Sequence, residues 1–105
     1  MMQIDILALL RTEAERIEQL VPNGVWYLFG SVLRTPALAA DIDLLILCET
    51  DEQVKLVRSE LHDLCMRLPL HLFLLTRTEE AELGFIDSQG CAQVYPANSE
   101  KPLLL

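Results

Sequence analysis

Asp41 and Asp43 stand two residues apart at the head of an apolar run, Ile42 to Leu47, and Gly30-Ser31 closes another, Val25 to Phe29. In extended chain, alternate side chains point to the same face, so both carboxylates of Asp41-Ile42-Asp43 project to one side. Hard oxygen ligands in that arrangement suit one Mg²⁺ or a pair of them. A Gly-Ser turn that leads from a strand into a helix offers a hydroxyl and free backbone N–H groups, the donors that receive phosphate oxygens. Each pattern has a plain structural reading as well, since acidic residues often begin strands and Gly-Ser often makes a tight turn. Taken together they combine a phosphate cradle with ligands for the metal that phosphates need.

The flanking sequence supplies the elements that must position these groups. Leu7, Leu10, Ala14, Ile17 and Val21 recur at steps of three and four, with Arg11, Glu13, Glu15, Arg16 and Glu18 between them, which predicts an amphipathic helix over Ile6 to Val21. Pro22-Asn23-Gly24 breaks it. Val25 to Phe29 and Ile42 to Leu47 read as buried strands, the second apolar throughout as expected where both faces of a sheet are covered. Thr50-Asp51-Glu52-Gln53 has capping-box spacing, and Val54, Val57, Leu61, Leu64 and Leu68 predict a second long helix that ends before Pro69. Leu70 to Leu75 is a third strand. Thr76 to Glu79 is a second capping box, opening a shorter helix that Gly84 weakens or ends. Cys91 to Tyr95 reads as a short fourth strand bounded by Pro96. The order predicts an α/β (α+β) domain over residues 1–105, with a small mixed sheet of three to four strands flanked by helices.

Composition narrows the partners. Eight Lys and Arg against sixteen Asp and Glu give a net charge of -8, so no basic field exists to hold a nucleic-acid backbone and nucleic acid is not expected as the main partner. An acidic chain that binds a nucleotide needs a divalent cation or local backbone N–H groups to reverse the sign at the site. Cys48, Cys65 and Cys91 lie far apart, with no Cys-x-x-Cys and no His at metal-ligand spacing, and are expected as free thiols. No apolar run approaches the roughly 20 residues that cross a bilayer, and the expectation is a protein of the reducing cytoplasm. Dinucleotide, P-loop and hydrolase-elbow motifs are absent. His62 falls within the second long helix, where a solvated histidine is the default.

"FGSVLR" followed after a short linker by "DIDLLIL" resembles the Gly-Ser and Asp-x-Asp signature of the nucleotidyltransferase superfamily, the fold of DNA polymerase β and kanamycin nucleotidyltransferase. The small size resembles its minimal nucleotidyltransferase branch, and the likeness spans about Val25 to Leu75. This resemblance implies that Gly30 and Ser31 contact the β and γ phosphates of a nucleoside triphosphate and that Asp41 and Asp43 bind Mg²⁺. Arg34 would steady phosphate or a neighbouring carboxylate. Members of the family with full activity carry a third carboxylate on the next central strand. Here that strand reads "LPLHLFLLT", and the matching position is His71. An imidazole adds no negative charge to a second metal site, but it can serve as a general base. As a bare strand residue it is also simply a hydrogen-bonded histidine. Glu79 and Glu80 are alternative acids, although both sit where a helix's first turn collects acidic residues.

The resemblance therefore implies Mg²⁺-dependent transfer of AMP from ATP to a hydroxyl of a protein or small molecule, slowed by the missing carboxylate. It also implies an alternative, a catalytically degenerate antitoxin or interaction module paired with a helical HEPN-type toxin. A homodimer or nucleotide-sensing module is a third expectation, for which Leu103, Leu104 and Leu105 are the visible apolar candidates.

Overall fold

The computed structural model describes residues 5–36, 40–103 and 105. Helix α1 spans Ile6–Glu18, and the Asp5 carboxylate caps it by accepting from the Ala8 N–H at 3.1 Å. Leu10, Ala14 and Ile17 face inward, as the three-and-four spacing predicts. The helix stops three residues short of Val21. Pro22 disfavours helical backbone in the residue before it, and the last turn tightens so that the Leu20 and Val21 N–H groups both donate to the Ile17 carbonyl. Val21 is nevertheless buried, so the apolar stripe outlasts the helix.

Four strands follow the sequence closely: β1 Val25–Phe29, β2 Ile42–Cys48, β3 Leu70–Thr76 and β4 Ala92–Tyr95. They form one mixed sheet in the order β3-β2-β1-β4. β1 lies antiparallel to both β2 and β4, while β2 and β3 run parallel. Between β1 and β2 sits the one-turn helix α2, Ser31–Arg34. The expected long helix after β2 is two segments, α3 Asp51–Glu60 and α4 His62–Arg67, separated at Leu61, whose φ and ψ are -96° and 2°. The burial stripe runs through the break without interruption, because Val57, Leu61 and Leu64 all reach the core. The Thr76 hydroxyl and Glu79 carboxylate form the predicted capping box at the start of α5, Arg77–Leu83. Gly84 then ends that helix with φ 61°, a left-handed backbone that suits glycine, and α6 follows at Phe85–Gln89.

The period-2 pleat divides the strands between two layers. Trp26, Leu28, Ile42, Leu44, Ile46, Leu70 and Val94 point to one face, where α1, α3 and α4 cover them with Leu10, Ala14, Ile17, Val57, Leu61 and Leu64. Phe29, Leu45 and Leu47 point to the other, against Phe85 and Ile86 of α6. The helices on this second face are short and contribute no fully buried residue, so the cover there is thinner. Leu103 packs on the chain's own core and Leu105 is exposed; Leu104 lies outside the described residues. No helix among the described residues is long and apolar enough to cross a membrane.

The three cysteines are free, Cys48 buried and Cys65 and Cys91 half-buried. Burial pushes the thiols of Cys48 and Cys91 up to about 11, from an ordinary value of 9.0. A thiol that keeps its proton longer when folded supports the fold fully below pH 9 and loses that support as pH rises through the folded value. Urea titrations should therefore show unfolding free energy falling between pH 9 and about 11, with a shallower fall when Cys48→Ala and Cys91→Ala are combined.

Candidate functional site

The end of β1 and the start of β2 are held together by a glycine. Gly30 has φ 77° and ψ -153°, a backbone that side chains oppose and glycine accepts. A Cβ at this position would collide with the Asp43 carboxylate. The absence of a side chain therefore lets the strand-to-helix turn lie directly against Asp43. Among the described residues no side chain caps the one-turn helix that begins at Ser31, and in its first turn the Leu33 N–H donates to the Gly30 carbonyl at 3.1 Å.

Register assembles the rest. Phe29 pairs with Asp43 across the antiparallel β1–β2 ladder, and Asp43 pairs with His71 across the parallel β2–β3 ladder. Cross-strand partners share a face, so Phe29, Asp43 and His71 form one row across the sheet on the thinly covered side. Asp41 precedes β2 and turns its carboxylate to the same imidazole. His71 Nδ1 lies 3.3 Å from Asp43 Oδ1, and His71 Nε2 lies 3.7 Å from Asp41 Oδ1. Both carboxylates thus converge on one ring.

The group sits on an open shelf. The Asp43 side chain is 24% exposed, whereas Asp41 and His71 are 50% and 58% exposed. Two concavities, of about 360 and 430 Å³, lie elsewhere, one beside Tyr27 and Gln93 and the other along Lys55, Arg58 and His62. His62 is exposed on its helix, as expected.

The sequence-predicted residues are brought together unequally. Gly30, Asp41, Asp43 and His71 meet, and Ser31 follows Gly30 directly. Arg34 is exposed at the end of α2 and forms no ion pair among the described residues. Glu79 and Glu80 are engaged elsewhere: Glu79 accepts from the Thr76 N–H at 2.9 Å and Glu80 from the Ile86 N–H at 3.0 Å. Two carboxylates with further positions open to water and phosphate oxygens are a donor set that Mg²⁺ accepts. Among the described residues no group of three or more His, Cys, Asp or Glu side chains is arranged to hold a metal ion, so the chain itself supplies only the aspartate pair.

Sequence reasoning missed the aromatic surroundings. Phe29 and Phe73 lie on the site face with Phe85 of α6, and Phe73 stays 42% exposed. The strand alternation His71-Leu72-Phe73 carried that signal, since residues two apart share a face. Comparison with known protein families, curated proteins and solved structures gave no match to the chain.

Gly30→Ala should cost more than about 1 kcal/mol of stability, from the left-handed backbone and the collision with Asp43 together. In an Asp43→Gly background the collision is gone and the strain alone remains. A double-mutant cycle by chemical denaturation should therefore return a clear coupling between positions 30 and 43.

Proposed function

We propose that this chain is a nucleotidyltransferase-fold protein that binds a nucleoside triphosphate with Mg²⁺ and transfers AMP from ATP to a hydroxyl of a protein or small molecule. The observation that carries the reading is the convergence of Asp41 and Asp43 on His71, with the Gly30-Ser31 turn pressed against Asp43. Asp41 and Asp43 hold the cation. When bound, Mg²⁺ offsets the triphosphate charge that a chain of net charge -8 would otherwise repel. The Ser31 hydroxyl and the N–H groups of its turn receive the β and γ phosphate oxygens, which fixes the α-phosphorus over the shelf. Arg34, exposed at the end of α2, steadies phosphate or a neighbouring carboxylate.

The acceptor hydroxyl attacks the α-phosphorus in line. A new O–P bond forms, the bond to the bridging oxygen breaks, and pyrophosphate leaves. His71, exposed beside the carboxylates, takes the proton of the hydroxyl as general base. Assistance of that kind is worth on the order of 10² to 10⁴ in rate.

A second reading rests on the same histidine. His71 puts an imidazole against both metal-binding carboxylates, where a third carboxylate would complete a second metal site. That favours a degenerate module whose work is binding, such as an antitoxin paired with a helical HEPN-type partner. For a homodimer, Leu103 packs on its own core and Leu105 is the exposed residue of the leucine tail among those described.

Calorimetric titration should show ATP binding that requires Mg²⁺ and is lost when Asp41→Asn and Asp43→Asn are combined. Binding that persists unchanged in that variant would overturn the metal site. Under the transferase reading, His71→Ala lowers the rate of AMP transfer from labelled ATP by about 10² to 10⁴ while binding survives. Under the antitoxin reading the native protein shows no transfer and carries a helical partner through purification.

A further inference from the structure

Phe73 is the one aromatic side chain among the large exposed apolar residues of the described chain. It stands on β3 two residues after His71 and therefore on the same face, about 7 Å farther along the strand. Its ring is braced from two sides. The Phe29 ring meets it edge-on at 5.2 Å and 67°, and the Phe85 ring lies 5.9 Å away at 36°. Phe29 and Phe85 in turn meet edge-on at 5.1 Å and 88°. The three rings thus lock one another, and each edge-to-face pair adds to the rigidity of a cluster in which Phe73 stays exposed while Phe29 is buried and Phe85 half-buried. The neighbour of Phe73 across the ladder is Leu45, which is fully buried and offers no polar group beside the ring.

The order across the sheet matters. The Gly30-Ser31 turn leaves β1, the carboxylate Asp43 stands on β2, and Phe73 stands on β3, the outermost strand on that side. Two interstrand steps separate the turn's strand from the ring's, about 10 Å. A nucleotide whose phosphates lie at the turn and whose α-phosphorus lies at the carboxylates has its nucleoside directed toward β3.

We propose that Phe73, braced by Phe29 and Phe85, is the platform on which the base of that nucleotide stacks; the inference rests on the nucleotide-binding reading of the aspartate pair. Stacking needs only a π face, and the ring's immediate cross-strand neighbour, Leu45, carries no hydrogen-bonding side chain to read a base edge; the first in that row is Tyr27, two strands from the ring. The site therefore takes nucleoside triphosphates as a class, with purines held more tightly than pyrimidines by their larger rings, and distinguishes ATP from GTP weakly.

The test is calorimetric titration of Mg²⁺ with ATP, GTP, CTP or inorganic tripolyphosphate, on native protein and on Phe73→Ala. Native protein should bind ATP and GTP alike, CTP less tightly and tripolyphosphate least. Phe73→Ala should weaken ATP by about 5- to 150-fold and leave tripolyphosphate unchanged. Phe73→Trp supplies a second readout that keeps an aromatic ring: its added fluorescence should be quenched by ATP and not by tripolyphosphate. If circular dichroism shows Phe73→Ala to be unfolded, Phe73→Leu and Phe73→Trp carry the comparison. Equal ATP affinity in native and aliphatic variants, with tripolyphosphate still bound, overturns the platform and spares the phosphate site. Failure of native protein to bind either ATP or tripolyphosphate overturns both.

Discussion

β2 is the only strand of this sheet that is flanked by a parallel neighbour on one side and an antiparallel neighbour on the other, and it is buried on both faces from Leu44 to Cys48. Its backbone must be satisfied by β1 and β3, since water cannot reach it. Its side chains must be covered from above and below, which requires α1, α3 and α4 on one face and the α5–α6 pair on the other. Burial of this strand thereby fixes the two flanking registers, and the registers set Phe29 and His71 beside Asp43. A slip of one residue would turn Asp43 into the helical layer, where a carboxylate has no partner, and expose Leu44 in its place. The site's geometry is thus held by the same burial that holds the fold.

Much of this architecture was legible in the sequence because its signals are local. Strands β1, β2 and β3 lie within a residue of the runs that predict them, since Gly30, Thr50 and Pro69 punctuate apolar stretches too short for helices. The Thr50 and Thr76 hydroxyls both cap as their spacing predicts, but only Thr76 completes its box, since the Gln53 side chain accepts from the Glu49 N–H in place of that of Thr50. The break at Leu61 was not legible: no Gly or Pro marks it, and the buried stripe continues through it. Helices α2 and α6 each span five residues or fewer, less than two turns, too short for periodicity to register.

The site divides along the same line. The resemblance alone singles out His71, as the residue at the family's third acidic position, and its pairing with Asp43 emerges from the β2–β3 ladder. The approach of both carboxylates to one imidazole depends on side-chain geometry and on the turn before β2, neither of which periodicity encodes. The withdrawal of Glu79 into a capping box was readable from its spacing, whereas the bond from the Ile86 N–H to Glu80 was not, because it depends on Gly84 turning the chain back. Long-range pairing of aromatic rings between a strand and a later helix, Phe29 with Phe85, likewise has no local signature.

The contact between Gly30 and Asp43 also reaches beyond this one molecule. Because the space that a side chain at position 30 would fill is taken by the carboxylate at position 43, position 30 cannot gain a side chain unless that carboxylate moves or is lost. Among diverging descendants of this sequence, a lineage that loses the glycine is steered toward a smaller residue in place of the aspartate, and so gives up in the same step the carboxylate proposed to hold a cation. A chain that keeps the aspartate gains by keeping the glycine. The pair thus forms a heritable unit, and its joint presence or joint loss would separate lineages that keep the proposed cation site from those that retain the fold for another use.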